Sequence, residues 1–274
     1  MSRFNGVRGF TTSSSAGLTD DQIVRIAPAI FADGAHQSRS DRYTFVSTKD
    51  VFDGMRKEGF MPTQVIQAKT RDVTRRGFTK HLVRFRRADE LNQEHAREVL
   101  VINSHDGGSA FKLMSGVYRY ICGNGMIFGD SDCEISVPHK GDILGNVIEG
   151  AYSIVKDFEK VSSSIEGMRS IALSRPQQEA FAEAALSLRF NESVPVTPNQ
   201  ILVPRRANDN GNDVWGTFNR IQEGVVRGGL RGQTIDENGR RRRVTTREVA
   251  GIDGNVALNR ALWILAERMT ELAA

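Results

Sequence analysis

Cysteine is scarce in this sequence: Cys122 and Cys133 are the only two in 274 residues. Two are too few for a disulfide framework, and the pair lacks the close double spacing of a structural zinc site, so both are expected to be reduced packing residues. Long apolar runs are missing too. No window approaches the roughly 18 unbroken apolar residues of a membrane span, and the opening segment MSRFNGVRGFTTSSSAGLTDD has no apolar stretch of the signal-peptide kind. A cytoplasmic protein with no membrane partner is expected. Nucleotide and metal motifs are absent as well. There is no G-x-x-x-x-G-K-[ST] loop, no G-x-G-x-x-G, no H-E-x-x-H and no calcium loop, and His36, His81, His95, His105 and His139 show no ligand spacing. No cofactor is expected, and an enzyme is not the leading reading.

The composition that remains, 39% hydrophobic and 26% charged, is that of a globular protein able to bury a core. A net charge of +4 says little by itself, but the charge is gathered into two places. Between residues 69 and 87 stand Lys69, Arg71, Arg75, Arg76, Lys80, Arg84, Arg86 and Arg87 against one acid, Asp72. A second block is Arg240, Arg241, Arg242 and Arg243.

Pattern along the chain suggests three regions. Residues 1–17, rich in Ser, Thr and Gly, read as a mobile arm. Residues 18–140 read as an α+β region. Thr19 can cap a helix whose first turn carries Asp20 and Asp21, and Tyr43–Thr48 reads as a strand leading into a short helix capped by Ser47 or Thr48. Strands follow over 63–70, 79–87 and 97–104, and the stretch 109–128 is read as mostly strand. Residues 141–274 read as helical: an amphipathic face runs through Val147, Ala151, Ile154 and Phe158, Pro176 sits at a helix start, and a helix follows Trp215. After a Gly- and Arg-rich loop over 228–245, Leu258, Leu262, Leu265, Met269 and Leu272 form a narrow seam. The expected fold is therefore α+β, with a mainly antiparallel sheet of four or five strands covered by helices and a helical C-terminal half that packs on the sheet or on a neighbouring subunit.

In the strand over 79–87 the period of two places Val83 and Phe85 on one face and Arg84 and Arg86 on the other. A row of guanidinium groups is what neutralising backbone phosphates requires. Lys69, Arg71, Arg75, Arg76, Lys80, Arg84 and Arg86 are the candidate phosphate ligands, with Lys112 and Arg119 as neighbours, and Arg240, Arg241, Arg242 and Arg243 as a second contact. Tyr43, Phe78, Tyr118 and Tyr120 could offer rings for bases to stack on. The ordinary alternative is a solvated sheet face. His105 beside Asp106, with Cys122 downstream, fits a nucleophile or hydrolase only loosely, and a turn anchored by His105 and Asp106 is the commoner arrangement. Asp130, Asp132 and Glu134 could hold Mg²⁺, but an acidic turn is the ordinary reading.

Asn103-Ser104-His105-Asp106-Gly107, Phe111-Lys112-Leu113-Met114, Val117-Tyr118-Arg119 and Cys122-Gly123-Asn124-Gly125 together resemble a family of phage- and plasmid-encoded proteins catalogued only as a domain of unknown function. The likeness extends to Trp215-Gly216-Thr217-Phe218-Asn219, Gly228-Gly229-Leu230 and Asn259-Arg260-Ala261-Leu262-Trp263. It implies a setting among mobile genetic elements, hence dealings with DNA or with host defence. The order of elements is also similar to the core of the single-strand-annealing recombinases. The expectation is a homo-oligomeric protein that binds single-stranded DNA without strong sequence preference and promotes annealing. The alternatives are a factor that inhibits a host protein and a metal-dependent hydrolase or nuclease.

Overall fold

The antiparallel sheet is present and wider than its sequence pattern suggests. In the computed structural model, described over residues 9–13, 17–40, 43–90, 95–119, 124–128, 134–136, 143–156, 158–190, 193–206 and 209–274, six strands lie side by side in chain order. They are β1 (Gly9–Ser13), β2 (Phe60–Ala68), β3 (His81–Arg87), β4 (His95–Asn103), β5 (Lys112–Arg119) and β6 (Asn124–Ile127), and β7 (Glu134–Ser136) also pairs with β5. Every pairing is antiparallel. The strands beyond the expected four or five are the short β1, β6 and β7, too brief to display a period of two. Of the arm expected over 1–17, residues 9–13 are β1, paired with β2 from Gly9↔Ala68 to Ser13↔Gln64. The stretch 112–119 is strand, as expected.

Three helices accompany the sheet: α1 (Asp20–Ile26), α2 (Thr48–Lys57) and α3 (Ile143–Lys156). Thr19 and Gln22 form a capping box at α1, and Ser47 caps α2 by accepting from the Asp50 N–H at 3.1 Å. Val83, Phe85, Val99, Val101, Leu113 and Val117 share one buried sheet face. Phe52 of α2 meets Phe85 edge-to-face at 5.2 Å, and α3 comes so close to β5 that a Cβ on Gly150 would lie 2.8 Å from the Leu113 methyl.

The strand expected at Tyr43–Thr48 does not form. Side chains take up these residues instead of a ladder: the Asn103 side-chain amide donates to the Val46 carbonyl at 3.1 Å, the Tyr43 hydroxyl donates to the Ser104 carbonyl at 2.8 Å, and Phe45 packs on the His105 ring.

The chain divides into two units, one ending at Phe158 and the other running over Glu159–Ala274. The division falls after the expected 140/141 boundary because α3 packs on the sheet. The second unit contains α4 (Phe158–Ser170) from its second residue on, α5 (Arg175–Arg189), α6 (Pro198–Leu202), α7 (Val214–Arg227) and α8 (Ile252–Ala273). Pro176 opens α5, and Trp215, Phe218 and Trp263 pack ring against ring in the core between α7 and α8. The seam expected along α8 is buried at Leu258 and Leu262 but then turns through Trp263 and Ala266, leaving Leu272 82% exposed. The straight helix drifts away from a strict heptad stripe. The expected loop over 228–245 is instead a two-stranded ribbon, β8 (Arg231–Ile235) and β9 (Arg241–Thr245). Among the described residues no helix is long and apolar enough to cross a membrane.

Candidate nucleic-acid interface

Arg84 and Arg86 are not on a solvated face. They are 3% and 1% exposed, and both are paired with the fully buried Glu98. The register sets Arg86 directly opposite Glu98. Arg84 Nη1 lies 2.5 Å from Glu98 Oε2, and Arg86 Nε lies 2.8 Å from Glu98 Oε1. The Arg86 guanidinium stacks on Tyr118, 3.4 Å from its ring centroid. Gly125 of β6 makes room for Arg84, since a Cβ there would sit 2.4 Å from Arg84 Nη1. Two guanidinium groups out of water need this compensation.

The alternation correctly separated Arg84 and Arg86 from Val83 and Phe85, but period two says which residues share a face and not whether that face is covered. Two neighbours are corrected likewise. Arg119 is buried, and Lys112 is neutralised by Glu134 at 2.6 Å.

The remaining part of the first basic strip is the connection from β2 to β3. Lys69, Arg71 and Arg76 are exposed there, and Lys80 is half-buried. Arg75 lies 3.3 Å from Asp72. Asp72 caps the short turn Val73–Arg75, and hydrogen bonds from Thr74, chiefly from its hydroxyl, hold its carboxyl below the usual carboxylate range. Val73, at the start of that turn, is 83% exposed.

The histidines prove less scattered than their spacing suggests. His81 and His105 are both fully buried, with ring centroids 5.2 Å apart. His81 Nδ1 lies 3.0 Å from the Thr79 carbonyl, which can only accept, so Nδ1 carries the proton and Nε2 accepts from the Thr48 hydroxyl at 2.8 Å. The Asn103 amide donates to that hydroxyl at 2.9 Å, and His105 Nε2 lies 3.4 Å from it. Burial, reinforced by His105, pushes the His81 pKa down to about 3, so His81 is neutral at physiological pH.

This is a buried core network and not a cleft. His105 is enclosed within it. Asp106 instead fixes the turn after β4 by accepting from the Gly108 N–H at 3.0 Å. Cys122, Cys133, Tyr120, Asp130 and Asp132 lie outside the described residues. No group of three or more His, Cys, Asp and Glu side chains among the described residues could hold a metal ion.

The second basic block is held by a built scaffold. At the C-terminus of α7, Gly228 and Gly229 both take positive φ, +67° and +80°. A Cβ on Gly228 would lie 2.7 Å from the Arg247 carbonyl, so only glycine lets the chain leave α7 here. The root is then fastened: Gly229 N–H donates to the Thr246 carbonyl, Thr246 N–H to the Leu230 carbonyl, Val249 N–H to the Val226 carbonyl and Arg205 to the Gly228 carbonyl. Gln233 N–H donates to the Pro195 carbonyl at 2.9 Å.

At the tip, the Asp236 carboxylate accepts from the Asn238 and Arg240 N–H groups and from Arg242 Nε at 2.9 Å. The register Arg231↔Thr245, Gln233↔Arg243 and Ile235↔Arg241 puts these six residues on one face, and all six are exposed. Arg242, on the other face, is paired with Asp236, whereas Arg231, Arg240, Arg241 and Arg243 make no ion pair among the described residues. The clue missed in the sequence was Asp236-Glu237-Asn238-Gly239, a turn signal between two β-capable runs.

The sheet unit and the helical unit with its arginine ribbon fall largely within one family match: the chain belongs to the family described as a domain of unknown function, DUF932, which matches residues 35–263. It is similar to two proteins of Escherichia coli (strain K12), the UPF0380 protein YfjQ and the UPF0380 protein YafZ. Each is 44% identical over 253 residues, covering 92% of this chain and 91% of the relative. No solved structure matches.

Proposed function

We propose that this protein binds DNA by its phosphate backbone, with the β8–β9 ribbon as the main contact and the basic connection between β2 and β3 as a second one. The observation that carries the reading is that Arg231, Arg240, Arg241 and Arg243 stand exposed, without an acid partner among the described residues, on a ribbon fastened at its root and closed by its own bonds at its tip. Four guanidinium groups on a held backbone, none paired with an acid among the described residues, are suited to displacing the counterions condensed on phosphate. The setting among mobile elements that the sequence resemblance implies agrees with a DNA partner.

Single-strand binding keeps only the exposed phosphate contacts in this reading, and three of the four rings expected to stack bases are engaged within the chain, Tyr120 lying outside the described residues. Tyr43 is bonded to Ser104, Phe78 packs edge-on against His36, and Tyr118 faces Arg86. A second reading takes the same exposed arginines, with Ile235 beside them at 68% exposure, as complementary to an acidic face of a host protein.

The test is binding of the purified protein to labelled duplex and single-stranded DNA at about 50 and about 200 mM salt, beside an Arg241→Ala/Arg243→Ala variant. With four contacts, duplex affinity falls about 150-fold across that range, and the variant falls only about tenfold. Absence of binding at the lower salt overturns the reading and turns attention to the acidic protein partner.

A further inference from the structure

We infer that the outward face of the β8–β9 ribbon reads base sequence in the major groove of duplex DNA; this rests on the DNA-binding reading above. The face carries Arg231, Gln233 and Ile235 from one strand and Thr245, Arg243 and Arg241 from the other, paired across in that order. A ribbon that gripped phosphates alone would need only the arginines.

The remaining residues are those whose chemistry suits base edges. Arg makes a bidentate contact with guanine O6 and N7, and Gln makes one with adenine N6 and N7. Apolar and Thr methyl groups contact the thymine methyl. Gln233 sits at the centre of the face, directly opposite Arg243, and its side chain is exposed and makes no hydrogen bond among the described residues. An unoccupied amide flanked by guanidinium groups is a reading element.

The dimensions agree. Each strand has five residues, about 17 Å, and strands in a pair are about 4.8 Å apart, so two strands with their side chains fit a groove about 12 Å wide. The opposite face is partly committed elsewhere. A Cβ on Gly232 would lie 1.9 Å from the Pro195 carbonyl oxygen, so at Gly232 the ribbon's back lies against residues 195–196. Charge divides along the same lines: Arg242, which points to the back, is the arginine neutralised by Asp236. Arg240, in the turn just beyond the paired register, is placed to hold phosphate while the face reads bases.

The experiment is selection of the full-length protein on a pool of randomised 20-base-pair duplexes, with a single-stranded pool in parallel. The expected result is a short enriched duplex motif containing adjacent guanine and adenine positions. Gln233→Ala relaxes preference at one position by roughly 5- to 150-fold and leaves the fold intact by circular dichroism. Arg240→Ala weakens binding to all sequences evenly. An unenriched pool, with salt-dependent and ribbon-dependent binding retained, overturns sequence reading while leaving phosphate binding standing. Enrichment in the single-stranded pool alone overturns it as well, and no binding to either pool overturns both readings.

Discussion

The guanidinium of Arg86 lies 3.4 Å from the ring centroid of Tyr118. Read from the sequence, one was a phosphate ligand and the other a surface for stacked bases. In the folded protein each occupies the other, and the pair closes over Glu98, which also takes Arg84. A cluster that looked like a binding surface is an internal ionic network in a sheet.

That network sets the first prediction. Glu98→Gln leaves two buried guanidinium groups without their counter-charge and lowers stability by about 3–5 kcal/mol. Urea denaturation measures it. Replacing all three residues together by methionine leaves stability within about 2 kcal/mol of the parent or raises it, because the desolvation cost leaves with the charges. Neither change alters the salt dependence of DNA binding, a result opposite to the one a surface role for Arg84 and Arg86 requires.

Acid lability follows from His81. Its pKa is depressed in the folded chain to about 3, against 6.5 when unfolded, so the unfolded state binds the proton more readily. This contribution to stability is complete above pH 6.5 and is lost progressively as the pH falls from there towards 3, with a slope of about 1.4 kcal/mol per pH unit. Denaturation midpoints measured from pH 7.5 to 4 show the decline. A Thr48→Val variant, which removes the hydroxyl that donates to Nε2, starts about 1–3 kcal/mol lower.

At Gly228 the outcome is local and mechanical. Gly228→Ala forces a side chain into positive φ and against the Arg247 carbonyl at 2.7 Å, which costs roughly 1–3 kcal/mol. The readout is hydrogen exchange: amides at Gly229, Thr246 and Val249, which fasten the ribbon root, lose protection first. Unchanged exchange at those three amides contradicts the anchoring role.

How much of this was legible in the sequence depended on the kind of signal. Local signals were direct: Thr19 and Ser47 as caps, Pro176 at a helix start, Val83 and Phe85 on a core face, and the α7 segment after Trp215 are where pattern places them. What stayed hidden was long-range. Nothing near Arg84 announces Glu98, fourteen residues away, and nothing near His81 announces Thr48 and Asn103. These partners meet only once register and packing are fixed. Tyr43–Thr48 misled because β-capable side chains are equally useful for filling a core from an unpaired segment. The arginine block at 240–243 was recognised as basic, but four consecutive arginines hide the alternation that divides them between two faces of a ribbon.

Because the ribbon is bonded along its root and tip before any partner arrives, the DNA binding proposed for it requires little further folding. Calorimetry of binding should then register a heat-capacity change close to that of docking two rigid surfaces, far smaller than the signature of a disordered basic arm condensing on a duplex. Four adjacent arginines commonly suggest a tail that takes its shape from its target; here the shape is already present, and the target must match it.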